Sequence, residues 1–121
     1  MKKQFIKSAG FILLSCVVLL LVSACVDLDK ITITNPDLSK IQNGTYQGNS
    51  TVGPVKVILD VTVVNGTISS IEIVKHRNGR GKSAEAIVPR IIEKQSLEVD
   101  VITGATASSK AILKAAEDAL N

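Results

Sequence analysis

The chain has 121 residues, of which 45% are hydrophobic and 2% aromatic, and its formal charge is +3 at pH 7. Lys2, Lys3 and Lys7 account for this excess, so residues 25–121 carry 11 basic and 11 acidic side chains. Residues 25–121 therefore have no net charge and one aromatic residue. They lack both the positive surface and the stacking platforms of a nucleic-acid-binding protein, and we expect no nucleic-acid partner.

Residues 1–24 have the arrangement of an export signal. The basic start is followed by the apolar run Phe11–Val22, and small residues stand immediately before Cys25. This junction resembles the lipobox of bacterial lipoproteins, which implies cleavage before Cys25 and a diacylglyceryl group on its sulfur. The alternative is an uncleaved membrane span, which needs about 20 apolar residues. Either form predicts a domain anchored to the extracytoplasmic face of a bacterial cell membrane.

Residues 25–42 are expected to be a lipidated N-terminus and a flexible tether. The stretch is polar and mixed in charge, with Asn35-Pro36 in its middle. A flexible chain of this length spans about 20–25 Å root-mean-square, which would hold the domain clear of the lipid headgroups.

The pattern changes to β-structure at Gly44–Gly48, which predicts a short first strand. Hydrophobic residues alternate from Val55 to Val64 and predict a second strand with one buried face. Asn65-Gly66 then favours a two-residue turn of the primed type, in which both residues have positive φ. We therefore expect Thr67–Lys75 to return as the second strand of a β-hairpin.

Two helices and one further strand are expected after the hairpin. A basic, glycine-rich loop over His76–Lys82 leads to a helix over residues 83–95. Leu97–Ile102 predicts a short final strand, and Ala107–Leu120 has the apolar periodicity of a second helix. These elements predict a single α+β domain over residues 43–121, with a mainly antiparallel sheet and two helices packed on it.

The segment Asp100–Ser109 lies between the last predicted strand and the last predicted helix and reads DVITGATASS. A helix start offers backbone N–H groups and a positive dipole end, which suit a phosphate. The segment resembles the flavinylation motif of the FMN-binding domain family: Asp, two residues, Ser or Thr, Gly-Ala-Thr, any residue, Ser or Thr. The resemblance extends over residues 43–120 and includes Asn43–Gly48 and the Asn65-Gly66 turn.

In that family FMN is esterified through its phosphate to the second threonine of the motif, so the resemblance implies covalent FMN on Thr106. It also implies a flavin transferase that uses FAD and Mg²⁺, and it ties Asp100 to the modification. Gly104 and Ala105 would let the transferase and the phosphate approach the backbone. The expected cofactor-binding residues, all within this motif, are Asp100, Thr103, Gly104, Ala105, Thr106, Ser108 and Ser109.

Each of these residues also has an ordinary structural alternative. A threonine at a helix start is most often a cap worth about 1 kcal/mol. Ser108 and Ser109 would either donate hydrogen bonds to the phosphate or cap the helix. Gly104 is expected either to adopt a conformation that only glycine reaches cheaply or to lie where a Cβ would strike the phosphate.

Two residues or segments outside the motif have open interpretations. Tyr46, the only aromatic residue after the signal, either packs in the core or stacks on the isoalloxazine ring. The His76–Lys82 loop is either a solvated basic loop or a source of cations for FMN. It ends like a phosphate-binding P-loop, but the required first glycine is replaced by His76.

The FMN-binding domain family includes small membrane-anchored lipoproteins and the flavinylated periplasmic subunits of sodium-pumping NADH:quinone reductase and of the Rnf complex. The resemblance therefore favours an electron carrier over a stand-alone enzyme. It also implies a quinone-linked or other redox partner protein. The first alternative is a lipoprotein that binds FMN non-covalently as a sensor or scaffold. The second is a structural or adhesive lipoprotein without a cofactor.

Overall fold

A computed structural model describes residues 28–77 and 81–121. The predicted export signal and the predicted lipidation site at Cys25 lie outside the described residues, as does Arg80. Three antiparallel strands and two α-helices form one small α+β domain, as the sequence predicted. The strands are β1 (Gly44–Val52), β2 (Val55–Val64) and β3 (Thr67–Arg77), the α-helices are α1 (Ile87–Lys94) and α2 (Thr106–Leu120), and 3-10 helices cover Leu28–Lys30, Leu38–Lys40 and Gly81–Ala86.

The sheet has the order β1-β2-β3, and β2 supplies most of its buried face. The alternating residues of β2 that the sequence assigned to the core are all buried, namely Val55, Val57, Leu59, Val61 and Val63. Asn65 and Gly66 have φ angles of 51° and 71°, which confirms the primed turn between β2 and β3. Among the described helices, none has the length and hydrophobicity needed to cross a bilayer.

The third strand is longer than predicted and contains two bulges. The second bulge, at Val74, places His76 opposite Val57 on the core side of the sheet. The His76 side chain is only 2% exposed, and its Nδ1 lies 3.0 Å from Glu85 Oε1. The prediction that a solvated loop begins at His76 is therefore wrong, since β3 continues to Arg77.

Helix α2 packs across the buried face of the sheet and runs antiparallel to β1. Near its C-terminal end, Asp118 Oδ2 accepts a hydrogen bond from Asn49 N at 3.0 Å. Closer to its N-terminal end, the Ala111 carbonyl accepts one from Ser50 Oγ at 2.5 Å. The apolar face that the sequence assigned to this helix is buried, with Ile112, Leu113, Ala116 and Leu120 all in the core.

Two predicted elements between the hairpin and α2 need correction. The predicted helix over residues 83–95 divides into the 3-10 helix Gly81–Ala86 and the α-helix Ile87–Lys94. Leu97–Ile102 is not a strand. Its alternation instead reflects one-sided packing, because Leu97 is buried and Val99 is partly buried against the core, while no strand pairs with the segment.

Residues 28–42, expected as part of a flexible tether, lie against the domain in the structure. Their apolar side chains are partly buried against the core, at Leu28, Ile31, Ile33, Leu38 and Ile41. The segment also forms hydrogen bonds with α2 and with the connection that follows α1. It therefore covers part of the core surface that the short sheet and two helices leave open.

Candidate functional site

Thr106 is the first residue of α2 and not its N-cap. The N-cap is Ala105, whose φ and ψ are −135° and 44° and which provides no side-chain hydrogen bond to the helix. The Thr106 side chain is partly exposed and forms no hydrogen bond with the described residues. The capping role that the sequence left open for Thr106 therefore does not occur, and its hydroxyl lies beside the N–H groups of an uncapped first turn.

The residues before Thr106 form a tight turn that depends on glycine. Gly104 has a φ of 81°, in the left-handed region, and an added Cβ would meet nothing within 4 Å. The expectation of a glycine-specific backbone conformation is confirmed, while Thr103 and Gly104 themselves are exposed. The turn closes with a hydrogen bond of 3.0 Å from Ala105 N to the Ile102 carbonyl.

The buried side chain of Ser109 forms hydrogen bonds with the backbone of this turn. Its hydroxyl donates a hydrogen bond to the Ala105 carbonyl at 2.8 Å and accepts one from Ile102 N–H at 3.0 Å. The side chain is completely buried, and both of its interactions are with the backbone of the turn. The Ser109 hydroxyl therefore joins the helix to the backbone of the turn that precedes Thr106. Ser108 is also buried, at 2% exposure, and forms no hydrogen bond with the described residues.

Asp100 precedes the turn on a segment that is fastened to α1. Arg90 Nη1 donates to the Asp100 carbonyl at 3.3 Å, and Lys94 Nζ donates to the Glu98 carbonyl. The Asp100 carboxylate itself is exposed and has no partner among the described residues. It borders a shallow groove of about 590 Å³ between this segment and α1, so it is accessible to another macromolecule.

The end of the domain that contains Thr106 also contains the β1–β2 turn and the end of β3. Gly53 lies three strand residues, or about 10 Å, beyond Ser50, whose hydroxyl bonds the Ala111 carbonyl. About six to seven helical residues cover the same distance, so Gly53-Pro54 lies level with the start of α2. Arg77 and Lys56 are paired neighbours near this turn. The 3-10 helix with Lys82 packs on α2 as well.

Tyr46 lies towards the opposite end of α2 from Thr106. It precedes Gly48 on β1, and Gly48 is in contact with Ala115 and Ala119 near the helix C-terminus. The tyrosine ring is partly buried against the core, and its hydroxyl donates to the Gln42 carbonyl at 2.7 Å. The packing role that the sequence left open for Tyr46 is the one observed.

The profile of the FMN-binding domain family matches residues 51–121, which include the hairpin, both helices and the whole threonine motif. The chain belongs to the FMN-binding domain family. This FMN-binding domain protein is also 29% identical over 85 residues to an uncharacterized protein of Treponema pallidum (strain Nichols). That similarity covers 68% of the chain but 24% of the Treponema protein, so the chain spans about a quarter of this relative.

Sequence reasoning found the residues of the motif but missed the groups that hold them. Arg90 was not singled out, because nothing in a helix pattern shows that its guanidinium reaches the backbone of Asp100. The two hydrogen bonds of the Ser109 hydroxyl could not be predicted from the sequence either, since their partners at Ile102 and Ala105 come together only in the folded turn. No group of three or more His, Cys, Asp or Glu side chains in residues 28–77 and 81–121 could hold a metal ion.

Proposed function

We propose that this protein is a membrane-anchored, extracytoplasmic electron-transfer flavoprotein that carries FMN on Thr106 through a phosphoester bond. The observation that carries the proposal is the start of α2, where Ala105 leaves the first turn uncapped and the Thr106 hydroxyl is unengaged by the described residues. Uncapped N–H groups and the positive end of the helix dipole favour a phosphate at this position.

The surroundings of Thr106 fit a covalently attached phosphate. The residues on either side are small, and Gly104 has open space where a side chain would be. In the proposed reaction, the Thr106 oxygen forms a bond to the FMN phosphorus of FAD in the site of a Mg²⁺-dependent transferase. The pyrophosphate bond breaks, AMP leaves, and the proton of the hydroxyl passes to the transferase or to solvent.

The chain contributes attachment and orientation, and little shielding. Tyr46 is distant from Thr106, so no aromatic side chain of the described residues is placed to cover a ring held there. When bound, the isoalloxazine ring supplies the one- and two-electron chemistry of the carrier. An uncovered ring suits exchange with a redox partner protein and offers no pocket that would select a substrate.

The proposal is tested by intact mass after co-expression of the full chain with a flavin transferase. We expect the parent chain to gain one FMN-phosphoryl unit and Thr106→Val to gain none while keeping its thermal melt. Thr51→Val is the control, because Thr51 is an exposed threonine outside the motif and its variant should still gain the full mass. A mass gain in Thr106→Val would overturn the assignment. Flavin fluorescence that separates from the parent chain in a denaturing gel would instead favour the non-covalent sensor or scaffold.

A further inference from the structure

The segment before β1 runs along α2 from the helix's N-terminal end to its C-terminal end. The Leu28 carbonyl accepts a hydrogen bond from Lys110 Nζ, one helical turn after Thr106. Six residues later, Thr34 N donates to Glu117 Oε2 at 2.9 Å, near the other end of the helix. The two contacts fix the direction of the segment, which is parallel to α2.

The segment then continues around the far end of the domain. Asn35 Oδ1 accepts a hydrogen bond of 3.0 Å from Leu97 N, and the backbone of Leu38 lies against the β2–β3 turn at Gly66. Only after this does the chain enter the sheet at Gly44. The chain therefore traverses the whole length of the domain before its first strand begins.

This path determines which end of the domain is near the membrane anchor. Cys25 is three positions before Leu28, a distance of about 10 Å along a fully extended chain. The contact of Leu28 with Lys110 is about 6 Å along the helix from Thr106. A tether that remained flexible up to residue 42 would instead attach at Gly44, at the opposite end, and leave Thr106 directed away from the lipid.

The charges at the two ends of the domain agree with this orientation. At the end with Thr106, the cations Lys56, Arg77, Lys82 and Lys110 outnumber the carboxylates Asp100 and Glu85. The acids Glu117 and Asp118 lie near the other end of the helix. Basic side chains near an anionic leaflet contribute about 1 kcal/mol each to membrane attraction.

We infer that the Thr106 end of the domain is a membrane-facing surface that rests against anionic lipid headgroups. The inference rests on the proposed function for the anchor near residue 25 and for the group carried by Thr106. It holds for a lipidated cysteine and for an uncleaved span, because both bring the chain out of the bilayer just before Leu28. A flavin on Thr106 then lies at the level of the headgroups, within reach of a redox partner in the same membrane.

The inference is tested with the full chain in vesicles that contain phosphatidylglycerol and a lipid with a nitroxide on its headgroup. A thiol-reactive dye is placed at the membrane-facing end in Thr106→Cys and, independently, in Lys82→Cys. Thr67→Cys, an exposed position beside the β2–β3 turn, is the matched control at the opposite end. The parent chain gives the background labelling of Cys16 and Cys25.

We expect the nitroxide to quench the dye at positions 106 and 82 at least about twofold more than at position 67, because the two ends are separated by roughly the length of the helix. Equal quenching at both ends, stronger quenching at position 67, or a chain that does not associate with vesicles would overturn the inference. Thr106→Cys cannot carry the flavin ester, so the result does not depend on flavin attachment. Intact mass tests that attachment separately.

Discussion

Two glycines at the two ends of α2 serve opposite purposes. At Gly48, where the helix crosses β1, an added Cβ would lie 1.9 Å from the Ala115 carbonyl oxygen. At Gly104, just before the helix begins, an added Cβ would meet nothing within 4 Å, but φ is 81°. The first glycine is required by contact with another element, and the second by the conformation of its own backbone.

This difference separates the part of α2 that packs on the sheet from the part that contains Thr106, the proposed site of flavin attachment. The C-terminal half of α2 packs its backbone directly against β1 at Gly48. The N-terminal turn is fixed by local backbone geometry and by the buried hydroxyl of Ser109, while its outer side stays open. The acceptor role proposed for Thr106 needs this combination, because a transferase must approach a hydroxyl that is accessible and held in place.

The comparison predicts its largest effect at Gly48. Gly48→Ala should lower the free energy of unfolding by about 3 kcal/mol or more, because the methyl group would overlap the backbone of α2. Chemical denaturation of the variant measures this, with the exposed Thr51→Ala on the same strand as a control. A loss no larger than that of the control would show that α2 can move away from the sheet at low cost.

A smaller loss in the free energy of unfolding is expected at Ser109, whose hydroxyl bonds the backbone of the turn. Ser109→Ala removes two buried hydrogen bonds and leaves the Ile102 N–H without its partner, which should cost about 1–3 kcal/mol. Ser83→Ala is the control, since that serine is exposed and lies outside the motif. Flavin content should fall in Ser109→Ala alone, and equal flavin content in both variants would refute a positioning role.

Gly104 should be less sensitive than either of these positions. Gly104→Ala should cost about 1–2 kcal/mol, the strain of a left-handed residue, because no neighbouring atom is struck. Gly104→Asn should cost less than Gly104→Ala, since asparagine tolerates this conformation better. Thermal melts of the two variants distinguish backbone strain from a collision of the added Cβ. Equal losses for alanine and asparagine would indicate a collision.

The smallest effect on stability is expected at Asp100. Its carboxylate is exposed, and the Arg90 hydrogen bond uses its backbone carbonyl, which Asp100→Ala retains. The free energy of unfolding should change by less than about 0.5 kcal/mol, whereas the yield of flavin attachment should fall. Thermal melting and intact mass of the same sample measure the two quantities. Destabilisation as large as that of Gly104→Ala would make Asp100 a structural residue.

Local sequence patterns were sufficient for the hairpin and for α2. Alternation in β2, the Asn65-Gly66 turn and the helical period of α2 each involve residues close in sequence, so propensity and burial point to the same structure. The same patterns misled at Leu97–Ile102. Alternation reports burial on one side, and whether a strand forms also depends on a partner edge, which this segment does not have.

His76 shows a second limit of local patterns. A bulge at Val74 shifts the period by one residue and turns His76 towards the core. The signal for a bulge is weak in a single sequence, because it depends on how two strands match in twist and length. The polar, charged residues that follow His76 therefore suggested a loop that begins two residues too early.

The sequence by itself predicted the chemistry that is proposed for this protein. A ten-residue motif with fixed spacing identifies the candidate hydroxyl at Thr106, and the order of strands and helices defines an α+β domain. The tertiary structure decided where that hydroxyl lies. The contacts Lys110–Leu28, Glu117–Thr34 and Ala115–Gly48 join residues that are more than 60 positions apart, and no local pattern encodes such pairs. They direct the N-terminal segment along α2 and leave Thr106 at the end of the domain where the chain enters it.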